Sequence, residues 1–136
     1  MIYLDSSALV KLVHPEPDSA SLVSWLTTER LPAVTSALAE VEVERAVRRT
    51  APAALPAVPA ALSTVFLFDI DAAIRRAAAR MANPLLRSLD AIHLATALEL
   101  GAELHAFVAY DKRLLAAVSA AGLTTARPKS KRPEAD

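Results

Sequence analysis

The feature that most limits what this chain can become is its alternation of short apolar runs with longer amphipathic ones. Residues 1–5, 31–35, 65–68, 105–110 and 123–126 read as strands. Each of the first four leads directly into a segment with helical spacing. Strands joined through helices pair in parallel, because a crossover is needed to bring the chain back to the same end of the sheet. The expectation is an α/β domain over residues 1–126, three layers deep (α/β/α) around a short parallel sheet. Residues 127–136 read as a polar, flexible tail.

Local punctuation agrees with this order. Ser6 or Ser7 is placed to cap a helix running to Val13, and His14-Pro15-Glu16-Pro17 breaks it. Asp18 or Ser19 caps a second helix, whose Trp25 belongs to the core or to an interface. Ser36 caps a third, to about Arg49. Residues 51–61 hold Pro52, Pro56 and Pro59, and read as a broken helix or a turn between helices. Another helix runs to about Ala82, where Asn83-Pro84 stops it. Ser88 caps Leu89–Leu100, which Gly101 ends, and Asp111 begins a helix that ends before Gly122.

Composition narrows the chemistry. The chain has 136 residues, enough for one core without staples, and no cysteine, which excludes disulfides, thiolate catalysis and the usual zinc sites. No apolar stretch approaches the ~20 residues that span a bilayer. No basic segment precedes the first apolar residues, so no secretory leader is expected and the cytoplasm is the expected compartment. Fifteen basic residues balance fifteen acidic ones, and aromatics are 4%, too few for a base-stacking platform. Any nucleic acid would be held by backbone contacts.

In open α/β sheets, ligands bind beyond the carboxyl ends of the strands. The acids expected there are Asp5 after the first strand, Asp69 and Asp71 after the third, and Asp111 after the fourth. Asp90 lies in the first turn of its helix, and Glu40, Glu42 and Glu44 lie on the third helix. Carboxylates that share a cleft repel one another unless a cation neutralises them. Mg²⁺ and Mn²⁺ prefer such oxygen donors and suit phosphodiester hydrolysis.

Four segments then carry a resemblance. Ile2-Tyr-Leu-Asp5-Ser-Ser7-Ala-Leu, Thr35-Ser-Ala-Leu-Ala-Glu40-Val-Glu42-Val-Glu-Arg45, Leu86-Arg87-Ser-Leu-Asp90-Ala-Ile-His93-Leu-Ala and Val108-Ala-Tyr-Asp111-Lys-Arg-Leu resemble, in order and spacing, the motifs of PIN-domain nucleases, especially VapC-like toxins. The resemblance covers roughly residues 1–125. It implies a PIN-like fold and a metal-dependent endoribonuclease that leaves a 5′ phosphate. It also implies a toxin paired with an antitoxin that blocks its cleft, and a homodimer. Structured RNA such as tRNA is a plausible substrate. The site acids it implies are Asp5, Glu42, Asp90 and Asp111, which would hold Mg²⁺ or Mn²⁺. Glu40 is the alternative to Glu42, since the two flank the expected inward stripe Ala39–Val43–Ala46 on opposite sides. Ser7, Arg45 and Arg87 are expected in support. Many relatives carry Ser or Thr where this chain has Ala109.

The same residues admit plainer roles. Asp90 suits the positive end of a helix, and Asp111 suits an N-cap. Asp69 and Asp71 read as a cap and a surface acid, respectively. His93 reads as a packed or hydrogen-bonded histidine; His14 and His105 look incidental. Arg127, Lys129, Lys131 and Arg132 could touch RNA or stay solvated. Two other functions stay open: an inactive RNA- or protein-binding module on the same fold, and a phosphotransfer domain with Asp5 or Asp69 as nucleophile. A phosphatase of the haloacid dehalogenase kind would want an acid where Ser7 stands, and a receiver domain would want paired acids after the first strand.

Overall fold

The computed structural model describes residues 1–130. Five strands form one parallel sheet: β1 (Ile2–Leu4), β2 (Ala33–Ser36), β3 (Phe66–Phe68), β4 (Ala106–Val108) and β5 (Thr125–Ala126), in the order β3-β2-β1-β4-β5. Tyr3 stands in register with Val34 on one side and Phe107 on the other. The chain winds outward from β1 to β3, then returns to the far side of β1. The order therefore reverses between β1 and β4, where this architecture places its binding crevice.

Seven helices cover the sheet: α1 (Ser6–Val13), α2 (Ser19–Glu29), α3 (Leu38–Thr50), α4 (Val58–Leu62), α5 (Ala72–Ala79), α6 (Ser88–Leu100) and α7 (Lys112–Ala120). Strand alternation divides the core in two. Ile2, Leu4 and Val108 pack on α1, α2 and α3 through Leu9, Leu22, Val43 and Val47. Tyr3, Val34 and Phe107 pack on α6 and α7 through Leu94, Leu114 and Val118. Every residue of β1 and β4 is buried, as expected for central strands covered on both faces. Half-buried Trp25 packs on the first cluster.

Some expectations shift in detail. The cap of α1 is Asp5 itself, whose carboxylate accepts from the Ala8 amide, rather than Ser6 or Ser7. Ser36 accepts from the Leu38 amide while closing β2. Ser88 is the first residue of α6, not its cap. The inward stripe of α3 is Ala39, Val43 and Val47; Ala46 sits half-exposed. Pro52 and Pro56 fall in a short 3₁₀ helix (Pro52–Ala57) and Pro59 in the first turn of α4, so the proline segment is a helix broken in two. Helix α5 ends at Ala79, before the expected Ala82, because Arg80 and Met81 bond in tighter turns. Among the described residues no helix is long and apolar enough to cross a membrane.

The start of the expected tail lies against the domain. Tyr110 donates its hydroxyl to the Pro128 carbonyl at 2.6 Å, and the Ser130 amide donates to Asp18 at 3.2 Å. Lys131 and Arg132 lie outside the described residues.

The two acids exchange their expected roles: Asp71, not Asp69, is the N-cap of α5, accepting from the Ile74 amide at 2.9 Å, because the helix starts at Ala72, and Asp69 is the surface acid. Asp71→Ala should cost ~1 kcal/mol in urea unfolding, the usual loss of a cap. Asp69→Ala should stay within ~0.5 kcal/mol.

Candidate active site

Beyond the carboxyl ends of β1 and β4 opens a cleft of about 620 Å³, and Asp5, Glu42, Asp90 and Asp111 all line it. They arrive on four different elements: the end of β1, the middle of α3, the first turn of α6 and the loop after β4. Glu40 is exposed and does not line the cleft, so Glu42 is the glutamate that α3 brings to it. Asp69 and Asp71 also stay away.

Asp5 is 5% exposed. Its Oδ1 accepts from Ser7 Oγ at 2.6 Å and from the Ala8 amide at 3.0 Å. Burial disfavours its charge strongly enough to push its pKa up to about 6, although both hydrogen bonds work the other way. Ser7 in turn accepts from the Tyr110 amide at 3.0 Å, which ties the start of α1 to the loop after β4. Ser7 thus orients Asp5 and does not cap its helix.

Glu42 is half-buried. Its Oε1 accepts from Ser6 Oγ at 2.7 Å and from His93 Nε2 at 2.6 Å. Burial alone would raise its pKa; the bonds from His93 and Ser6 outweigh burial and hold the carboxyl below its ordinary value. His93 is hydrogen-bonded within the core, as the plainer reading expected.

Asp90 and Asp111 are bridged by one cation. Arg87 donates from Nε to Asp90 and from a terminal nitrogen to Asp111, each at 3.1 Å. Asp111 also caps α7, accepting from the Arg113 and Leu114 amides. Cap and cleft acid are one residue here, because its two oxygens point different ways. Arg45 lines the cleft, and so does Arg49, one turn further along the same face of α3. The i,i+4 spacing from Arg45 was the signal that could have found Arg49. Glu44 pairs with Arg48 at 3.6 Å, away from the cleft. Ala109 is buried in the core cluster under α7, so its methyl takes nothing from the cleft wall.

Whether these residues suit a divalent cation can be judged from the donors themselves. All are hard carboxylate oxygens. Asp5 Oδ2 and Glu42 Oε2 have no hydrogen-bond donor among the described residues. Asp5 is buried, and no cationic side chain among the described residues pairs with it. The donor set fits Mg²⁺ or Mn²⁺. As the side chains lie, however, no three acids or histidines among the described residues converge on one ion position.

A chain with this sheet, this cleft and these four acids has the architecture of a nuclease of the PIN class, and sequence comparison agrees: the chain belongs to the PIN-domain family, whose model matches residues 2–120. Within that family its relatives are VapC proteins. It is 52% identical over 131 residues to ribonuclease VapC35 of Mycobacterium tuberculosis, covering 94% of this chain and 97% of that one. It is 42% identical over 127 residues to ribonuclease VapC46 of the same organism, covering 93% and 97%. The fold matches VapC20 of M. tuberculosis, a toxin that cleaves the sarcin–ricin loop (TM-score 0.69, 19% identity, 91% and 97% covered). It also matches a chain of a toxin–antitoxin complex from Klebsiella pneumoniae (TM-score 0.71, 19% identity, 96% and 100% covered).

Burial of Asp5 gives a pH signature. Its folded pKa, about 6, lies above the usual 3.8, so the folded state holds the proton more tightly than the unfolded chain. Stability is then unpenalised below about pH 4, falls as pH rises towards 6, and stays lowered above that by ~2–3 kcal/mol. Asp5→Asn keeps the acceptor oxygen and removes the charge. In EDTA its unfolding free energy from urea titration should match wild type near about pH 4 and exceed it by that amount near about pH 7.5.

Proposed function

We propose that this chain is an endoribonuclease and the toxin half of a toxin–antitoxin pair, dependent on Mg²⁺ or Mn²⁺ held by Asp5, Glu42, Asp90 and Asp111. The observation that carries this reading is the meeting of four carboxylates from four elements in one cleft, in a chain half identical to a VapC ribonuclease. When bound, the ion would activate water and neutralise charge on the phosphoryl group.

The chain's own residues do the rest. Ser7 and the Ala8 amide hold Oδ1 of Asp5 and leave Oδ2 to the cleft. Ser6 and His93 do the same for Glu42. Arg45, Arg49 and Arg87 give the cleft a positive wall for the RNA backbone. Arg87 is 73% exposed, so its bonds to Asp90 and Asp111 are cheap to break. Released, its planar guanidinium matches two phosphate oxygens at once. With three arginines and no aromatic ring on the cleft wall, the residues favour reading the shape of the RNA backbone over stacking its bases.

The antitoxin partner, the homodimer and the cytoplasmic setting are part of the same proposal. The cleft rim supports a protein partner: exposed Val41 and Leu89 flank its arginines, which suits a segment with acidic and apolar side chains.

Purified, antitoxin-free protein should cleave a labelled pool of cellular RNA with Mg²⁺ or Mn²⁺ and not in EDTA. Asp90→Asn should slow it by more than ~100-fold, the upper range for losing even an outer partner of a metal site. Cleavage that survives EDTA or the substitution would overturn the reading.

A further inference from the structure

We infer that His93 is a positioning residue for Glu42, itself fixed by Tyr3, so that β1 and α6 together aim the second oxygen of Glu42 into the cleft. The inference rests on the proposed role of Glu42 as a site acid.

The geometry is a relay across three elements. Tyr3 is fully buried in β1, its ring stacked on Phe107 at 4.8 Å with the planes 13° apart. Its hydroxyl meets His93 Nδ1 at 2.7 Å. His93, 2% exposed, lies on α6 one turn after Asp90. The bonding pattern assigns the ring hydrogen to Nε2. The Tyr3 hydroxyl then donates to Nδ1, and Nε2–H donates to Glu42 Oε1 at 2.6 Å. Ser6 Oγ, 3.3 Å from Nε2, donates to the same oxygen and closes the triangle.

Each feature has a consequence at Glu42. A glutamate on a helix face has three side-chain torsions to fix, and ordering them costs entropy. Two donors on Oε1 fix them at once. Both donors take Oε1, so Oε2 is left with no donor among the described residues, and Glu42 lines the cleft. The relay ends on a cleft acid, whereas a histidine kept only for packing has no need of a chain that finishes there. Neighbours that orient a metal-binding carboxylate usually affect metal affinity by about 10–100-fold.

The test is Mn²⁺ affinity, measured by calorimetric titration of the full chain. Gln can keep an N–H where His93 has Nε2; Asn is too short to reach Glu42. His93→Asn should therefore weaken Mn²⁺ binding about 10–100-fold, and His93→Gln should restore most of it. In a Glu42→Gln background, His93→Asn should cost nothing further. Should His93→Asn fail to fold by near-UV circular dichroism, Tyr3→Phe decides instead; it removes one hydroxyl and should weaken binding in the same direction. Unchanged affinity in folded His93→Asn or Tyr3→Phe, with Glu42→Gln impaired, would overturn the relay alone. Losses that simply add to that of Glu42→Gln would do the same. Unchanged affinity in Glu42→Gln would remove Glu42 from the site, and the relay with it.

Discussion

Asp5 is a carboxylate almost wholly withdrawn from water at the carboxyl end of the central strand, where a charge costs several kcal/mol unless it is answered. Much of the surrounding structure is arranged around that cost. Two donors meet one oxygen of Asp5, and the second serine binds both Asp5 and the loop after β4, so the two central strands are joined through the acid. A fold that wanted only stability would place an apolar residue here. The preference of Asp5 for a proton fits the proposal that a divalent cation binds beside it.

The neighbouring acids are managed by different means. Glu42 is held ionised by its bonds from His93 and Ser6; Asp90 and Asp111 share one positive charge, that of Arg87. Arg87 places its charge between the two outer acids. A chain with no net charge can thus own a site that is locally acidic at its floor and basic at its rim.

Much of this was legible in the sequence. Four strands that each lead into a helix, with a fifth to close, imply a parallel sheet, and a parallel sheet fixes which strand ends face the cleft, so Asp5 and Asp111 could be placed from the chain alone. Glu42 over Glu40 was less legible. The stripe of α3 includes Val47, which turns the helix slightly, and only packing against β1 and α1 decides which glutamate faces in. Residues whose role depends on distant partners were not legible at all. Ser6 looked like a cap and Tyr3 like core, because nothing in the spacing shows that they lie beside residues 42 and 93. Arg87 was expected in support, but its span across two acids 21 residues apart depends on where β4 ends.

On the proposed reading Asp5, Glu42, Asp90 and Asp111 form one cation site, with Arg87 across two of its acids. A crystal structure grown with Mn²⁺, with the ion located by its anomalous scattering, tests it most directly. The account predicts an anomalous peak in the cleft against Asp5 Oδ2 and neighbouring carboxylates, with Arg87 turned away from Asp90 and Asp111. A cleft without a peak at saturating Mn²⁺, with Arg87 still bridging the two acids, would contradict it.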